Sequence, residues 1–229
     1  MTIHMIFDIL AWMSALSVRF LFRNSRYLPD TVVPPHLRFS YKITLMIGAS
    51  IGALFYGSFN LMLQYPHALG HSILGGIIGG TAAVEIFKQR HPIEGSTGVV
   101  WVIPLALGIA VGRLGCFFAG LPDYTYGTPT TLPWGVDFGD GVMRHPVQLY
   151  ESASMLAFAA AAFFLLTQKN LWFKENGFYL FTVVYACQRF AWEFLKPYAK
   201  ILWQFNLFHI LCLLLASYGM FMMTRKRVQ

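Results

Sequence analysis

The chain has 229 residues, of which 56% are hydrophobic and only 12% charged, where a soluble domain carries about a quarter charged residues. That deficit excludes an ordinary water-soluble fold, and apolar runs of about 20 residues match a hydrocarbon layer about 30 Å thick. Seventeen Lys and Arg against ten Asp and Glu leave a net charge of +7. It reads as a topology and lipid-surface signal, not a nucleic-acid footprint, because no basic stripe with interleaved aromatics is present.

Seven apolar spans are predicted, at about residues 3–22, 41–64, 70–87, 98–120, 148–167, 176–195 and 203–224. The expected fold is an all-α polytopic membrane protein forming one transmembrane domain over residues 1–229. The first span lacks a basic leader and a small-residue cleavage site, so it reads as an anchor and not a signal peptide. Between the first two spans, Asn24 to Ser40 carries Pro29, Pro34 and Pro35 with basic flanks and reads as an extended connection.

Basic residues orient the chain. Arg19, Arg23, Arg26, Arg38 and Lys42 flank span 1 and its connection. Lys88 and Arg90 follow span 3, Lys169 and Lys174 follow span 5, and Arg225, Lys226 and Arg227 close the chain. Twelve of the 17 basic residues thus fall on one face. Short loops rich in Lys and Arg stay cytoplasmic, which puts the N-terminus outside and the C-terminus in the cytoplasm.

The third span opens as GHSILGGIIGG, residues 70–80. Gly75, Gly76, Gly79 and Gly80 have the small-xxx-small spacing that lets helices approach closely. Packing alone explains them; the functional alternative is that they leave room for a lipid chain or headgroup. His71 stands outside the glycine run, where it is either structural or catalytic. Glu85, further along, suits a pairing with a neighbouring helix.

Arg113 lies near the outward end of span 4, in GRLGC. A guanidinium there either snorkels or holds an anion, its fork fitting phosphate oxygens. The outer loop from about Leu121 to Pro146 combines prolines and glycines with Tyr124, Tyr126 and Trp134, and reads as an ordered cap between helices 4 and 5. Asp137 and Asp140 in VDFGDG look like turn formers. The loop closes with RHPVQLYE, which brings Arg144, His145, Gln148, Tyr150 and Glu151 to the start of span 5. Pro146 suits the first helical turn. His145 is then either an interfacial imidazole or a helix cap, and Glu151 either meets a ligand or satisfies neighbouring donors.

Span 6 carries Tyr185, Arg189 and Glu193 at i, i+4 and i+8, stacked on one helical face. Inside an apolar span these groups must line a polar cavity or pair with each other. A phosphate-binding arginine held by its glutamate is preferred over a pair used only for folding. Cys116, Cys187 and Cys212 fall in apolar spans without paired spacing, so neither a disulfide framework nor a zinc site is expected. No nucleotide loop or metal-spaced cluster is present, and no cofactor is expected.

Together GGIIGG, LGIAVGRLG, RHPVQLYE and YACQRFAWEF resemble the prolipoprotein diacylglyceryl transferase family, seven-helix membrane enzymes with the N-terminus outside. The resemblance covers most of the chain from about Gly70 onward. It implies a multi-pass protein of the bacterial cytoplasmic (inner) membrane that moves a diacylglyceryl group from phosphatidylglycerol to a lipobox cysteine thiol, releasing glycerol phosphate. Arg113 falls on the arginine of the family's GR.GN motif and Arg189 on its late-helix arginine, with Tyr185 and Glu193 on the partners. The resemblance implies headgroup and phosphate binding for both arginines.

The departures are specific. Leu74 precedes Gly75–Gly76 where the family has HGG, Cys116 stands for the asparagine of GN, and Leu121 replaces a glutamate. An arginine of the second helix has Leu54 near its position, and an early tyrosine has no counterpart. The base then falls to His71 or His145. Gly75, Gly76, Arg144, Gln148, Tyr150 and Glu151 join Tyr185 and Glu193 as expected substrate contacts. Cys116 adds a sharper option, a thiolate beside Arg113 that forms a covalent lipid intermediate. Two other functions stay open: a transferase with a different acceptor, and a non-catalytic lipid-binding or lipid-moving protein.

Overall fold

The computed structural model describes residues 2–21, 32–63 and 69–225. Arg23, Arg26, Pro29, Lys226 and Arg227 lie outside the described residues. The helices are α1 (Thr2–Leu21), α2 (Arg38–Met62), α3 (Ile73–Arg90), α4 (Val102–Ala119), α5 (Val147–Thr167), α6 (Leu171–Glu193) and α7 (Leu207–Thr224). Among the described residues, four stretches are long and apolar enough to cross a membrane: Pro35–Met62, Val99–Ala119, Val147–Thr167 and Leu207–Thr224. Of the other helices, α3 carries Glu85, Lys88 and Arg90, and α6 carries Lys174, Glu175, Arg189 and Glu193. These charges dilute their apolar runs.

The boundaries follow local chemistry. A short 3-10 turn, Pro35–Leu37, leads into α2, so Arg38 and Ser40, expected in an extended connection, are helical. Proline suits that first turn because its missing N–H has no partner there anyway. Ser72 caps α3 by accepting a hydrogen bond from the Gly75 N–H at 3.1 Å. Residues 70–72, expected inside span 3, therefore precede the helix. Asn170 caps α6 in the same way from the Phe173 N–H at 2.9 Å, starting that helix earlier than its apolar run. Asn206 and His209 form a reciprocal cap on α7, and residues 203–206, expected in span 7, form a turn.

The helices group into two compact units. The first comprises residues 1–29 and 98–197 and contains α1, α4, α5 and α6. Here α1 packs on α4, α4 on α5 and α5 on α6. Phe7 of α1 stacks on Phe118 at 5.3 Å, and its Cβ fills the space a side chain at Gly115 would need. Helix α5 buries Gln148, Glu151, Ser152, Met155, Phe158, Ala159, Ala162 and Leu166, an i, i+3, i+4 stripe that faces its neighbours. Ser152 Oγ donates to the Ala110 carbonyl at 2.9 Å, tying α5 to α4. One side of α1 is apolar and exposed, at Ile9, Trp12, Leu16 and Phe20.

The connection from α4 to α5 is an ordered cap, with one departure from an all-α fold. Val136–Asp137 and Met143–Arg144 form a two-stranded antiparallel ladder. Asp137 Oδ1 accepts from the N–H groups of Gly139, Asp140 and Gly141 at 2.8–3.1 Å, the turn expected of it. The Thr128 N–H donates to the Leu195 carbonyl at 2.6 Å, and the His145 N–H donates to the Thr128 carbonyl at 3.1 Å. The loop is thereby pinned to both the end of α6 and the start of α5.

The second unit comprises residues 30–97 and 198–229 and contains α2, α3 and α7. Its closest seam is α2 against α3. A Cβ at Gly79 would lie 2.9 Å from the Gly52 Cα and run into the Gly48 carbonyl. At Gly76 it would make ordinary contact with the Ala49 carbonyl at 3.5 Å and Ala53 Cβ at 3.6 Å. Glu85 pairs with Lys88 at 3.1 Å and accepts from the Tyr218 hydroxyl of α7 at 3.0 Å, the interhelical pairing expected of it. Because overpacking costs about 1–3 kcal/mol, Gly79→Ala should lower the melting temperature of the chain in detergent, while Gly76→Ala should leave it nearly unchanged.

Candidate active site

Three helix ends of the first unit converge on one carboxylate. The buried stripes of α5 and α6 align their helices, and α4 presents Arg113 from its last two turns. Arg113 Nε lies 2.7 Å from Glu151 Oε2. Arg189 Nη1 and Lys196 Nζ both donate to Glu151 Oε1, the latter at 2.9 Å. Arg189 Nη2 lies 3.0 Å from Glu193 Oε2. All five side chains are more than nine-tenths buried.

Three cations thus meet two carboxylates, leaving one formal positive charge in a buried place. An ion taken out of water carries a penalty of several kcal/mol unless it is paired. An arrangement with one cation in excess is electrostatically suited to an anion. Its planar guanidinium groups, held rigidly by carboxylates, match the oxygens of a phosphate.

The amide of Gln148, one turn before Glu151 on the same face of α5, is fully buried. Neither its Nε2 nor its Oε1 has a hydrogen-bond partner among the described residues. A buried amide left so costs about 1–3 kcal/mol, which marks it as a contact for a polar ligand. Tyr185 is buried on the α6 stripe one turn before Arg189.

A second, aromatic group sits beside the cluster. Tyr150 Oη accepts from Trp134 Nε1 at 2.7 Å and lies 3.5 Å from His145 Nδ1. The Trp192 ring is 5.1 Å from that of Tyr150. His145 therefore faces the loop and Tyr150, half-buried, and makes no cap: α5 starts with Pro146 at the cap position without a side-chain hydrogen bond. Pro146 stands one residue before the first helical turn expected for it. Arg144 is engaged within the loop, 2.6 Å from Asp140 Oδ1 and 5.2 Å over the Tyr126 ring. The hydrogen bond from Arg144 holds the Asp140 carboxyl below its usual range.

Cys116 is buried, and its Sγ accepts from Arg113 Nη1 at 3.7 Å. His71, Gly75 and Gly76 belong to the second unit. His71 is exposed and precedes Ser72, the cap of α3, so it stands before the helix and not within it. The room beside Gly75 is taken by α2, through the Gly52 carbonyl and Tyr56 Cβ, so that position does not leave space for lipid.

Residue-by-residue reading of the sequence missed Lys196. It stands three residues after Glu193, a spacing that keeps neighbouring side chains on one helical face.

A family model described as prolipoprotein diacylglyceryl transferase matches residues 10–225. The chain belongs to this family. It is 32% identical over 200 residues to the phosphatidylglycerol–prolipoprotein diacylglyceryl transferase of Nitratidesulfovibrio vulgaris, a match covering 80% of this chain and 73% of that protein. To the enzyme of the same name from Teredinibacter turnerae it is 30% identical over 171 residues, covering 70% and 58%. To that of Nitrosospira multiformis it is 31% identical over 131 residues, covering 53% and 43%. The last two matches thus span less than two thirds of the relatives' own length.

Breaking a buried ion pair by removing one partner costs about 3–5 kcal/mol. Glu151→Ala, which strands three cations at once, should collapse the melting temperature in detergent. Arg144→Ala, whose partner is a loop carboxylate, should leave it almost unchanged.

Proposed function

We propose that the chain is a diacylglyceryl transferase that uses phosphatidylglycerol as donor and a prolipoprotein cysteine as acceptor. The observation that carries this reading is the buried cluster of Arg113, Glu151, Arg189, Glu193 and Lys196, with one positive charge in excess. Arg113 and Arg189 hold the donor phosphate, while Glu151 and Glu193 fix their orientation. Gln148 and Tyr185 offer polar contacts to the rest of the headgroup. As the acceptor thiolate attacks the glyceryl carbon, a C–S bond forms and the C–O bond to phosphate breaks. The arginines stabilise the charge gathering on the departing glycerol phosphate.

A histidine takes the thiol proton. His145, which belongs to the same unit as the cluster, is the candidate, since Leu74 stands at the family's histidine position and is apolar and buried. Cys116 is the further option of a covalent lipid intermediate. Arg144 and Tyr150 act at the loop side, where the acceptor peptide would approach. We place the chain in the bacterial cytoplasmic membrane as one transmembrane domain. All seven helices cross it, with the N-terminus outside and the cap between α4 and α5 on the outer face. The apolar stretches and the distribution of Lys and Arg support that placement.

The buried Leu74 also favours a second reading, in which the anion site persists without standard chemistry. The chain then serves another acceptor, or binds and moves lipid without transfer.

The test is transfer of the diacylglyceryl group from phosphatidylglycerol to a lipobox peptide by the full chain in detergent. Removing one preorganised charge-stabilising donor typically costs about 10²–10³-fold in rate. The Arg113→Ala, Arg189→Ala double variant should therefore lose at least that much. Full activity in a folded double variant would sink the assignment. Lipid binding by the wild-type chain with no product on any thiol acceptor would favour the second reading.

A further inference from the structure

Lys196 is not explained by holding two arginines against one carboxylate. It lies beyond the last turn of α6, its side chain 0% exposed and its Nζ 2.9 Å from Glu151 Oε1. The charged groups around it come from every element packed there: Arg113 from α4, Glu151 from α5, and Arg189 and Glu193 from α6. Cys116 and Tyr185 complete the titratable surroundings through Arg113. With Lys196 protonated the five ionic groups carry one net positive charge; with it neutral they carry none. The two arginines cannot release protons in this range, and the lysine can.

We propose that Lys196 is a positioning residue that works as a proton-linked third cation, taking up a proton from solvent when an anionic lipid headgroup enters the cluster. The proposal rests on the headgroup reading given above. In the empty site, two fixed guanidinium groups oppose a third positive charge. A phosphate monoanion reverses the balance, because the cluster becomes neutral only if Lys196 is charged. The same ammonium then faces the leaving phosphate as it gains its second negative charge.

The sign of the pH effect follows. Burial, then the charge of Arg189, pushes the Lys196 ammonium down to about 8, against the pull of Glu151. Bound anion raises it again. Affinity for the anionic lipid is therefore complete below about pH 8 and is lost as pH rises through that value. The loss approaches tenfold per pH unit while only the empty site is deprotonated.

The measurement is equilibrium binding of phosphatidylglycerol to the full chain in an uncharged detergent, from pH 6 to 10, with proton uptake read in weak buffer at pH 9. Wild type should show the alkaline loss of affinity and take up close to one proton per lipid at pH 9. Diacylglycerol, which lacks the phosphate, should show neither. Lys196→Arg should bind across the range without the alkaline limb and without proton uptake, since its charge is permanent. Lys196→Met should bind about tenfold or more weakly at pH 7 and be flat with pH. An unchanged alkaline limb in Lys196→Arg, or no proton uptake by the wild-type chain, overturns the proposal whatever the stability of the variants. Undiminished phosphatidylglycerol binding by a folded Arg113→Ala, Arg189→Ala variant overturns the headgroup reading itself. Loss of binding in that variant alongside an unchanged limb in Lys196→Arg overturns only the role of Lys196.

Discussion

One carboxylate organises the first unit. Glu151 stands in the second turn of α5 and accepts from Arg113 of α4, from Arg189 of α6 and from Lys196 in the turn beyond it. None of these four groups would be stable alone in a medium of low dielectric constant. The geometry of the three helix ends is therefore a joint solution, since moving any one strands a charge on the others. That rigidity is also what catalysis on a phosphate ester needs: charges already oriented before the substrate arrives, with no reorganisation during the reaction.

The surrounding structure serves this cluster. Ser152 ties α5 to α4 one residue beyond Glu151. The cap fixes the start of α5 through Thr128, whose N–H reaches the Leu195 carbonyl next to Lys196 and whose carbonyl receives the His145 N–H. A single backbone position in the loop thus aligns the two elements that supply Glu151 and Lys196. The aromatic group of Tyr150, Trp134 and Trp192 closes the loop side by ring contacts and one hydrogen bond. The glycine seam of the second unit works by a different principle: bare backbone lets α2 and α3 meet by dispersion contacts, which in a lipid environment replace the hydrophobic effect.

Much of this was legible in the residues. Among the described residues each α-helix overlaps one of the apolar runs, because a run of apolar residues at a period of 3.6 favours a helix with a buried face. Their ends shifted where capping chemistry outweighed hydropathy, at Ser72, Asn170 and Asn206. Arg113, Arg189 and Glu193 stood out because ionisable groups inside apolar runs are costly without partners. Glu151 was visible as a candidate, but its role was not. Whether it met a ligand or a neighbour's donors depended on which helices packed beside α5, and the structure brings it three cations. Arg144, expected among the substrate contacts, is engaged by Asp140 and Tyr126 within the cap.

The sequence by itself determined the membrane class, the helical periodicity, the family and the identity of the charged groups. Each of these is a local or compositional property of the chain. Only the tertiary structure decided which charges share a site and what their sum is. Arg189 and Lys196 lie 38 and 45 positions from Glu151, and their pairing with it is a matter of helix packing that no spacing encodes. Lys196 shows the difference most sharply. In the sequence it is one more lysine near a helix end, and its burial against Glu151 makes it the group whose charge state decides whether the cluster carries a net charge.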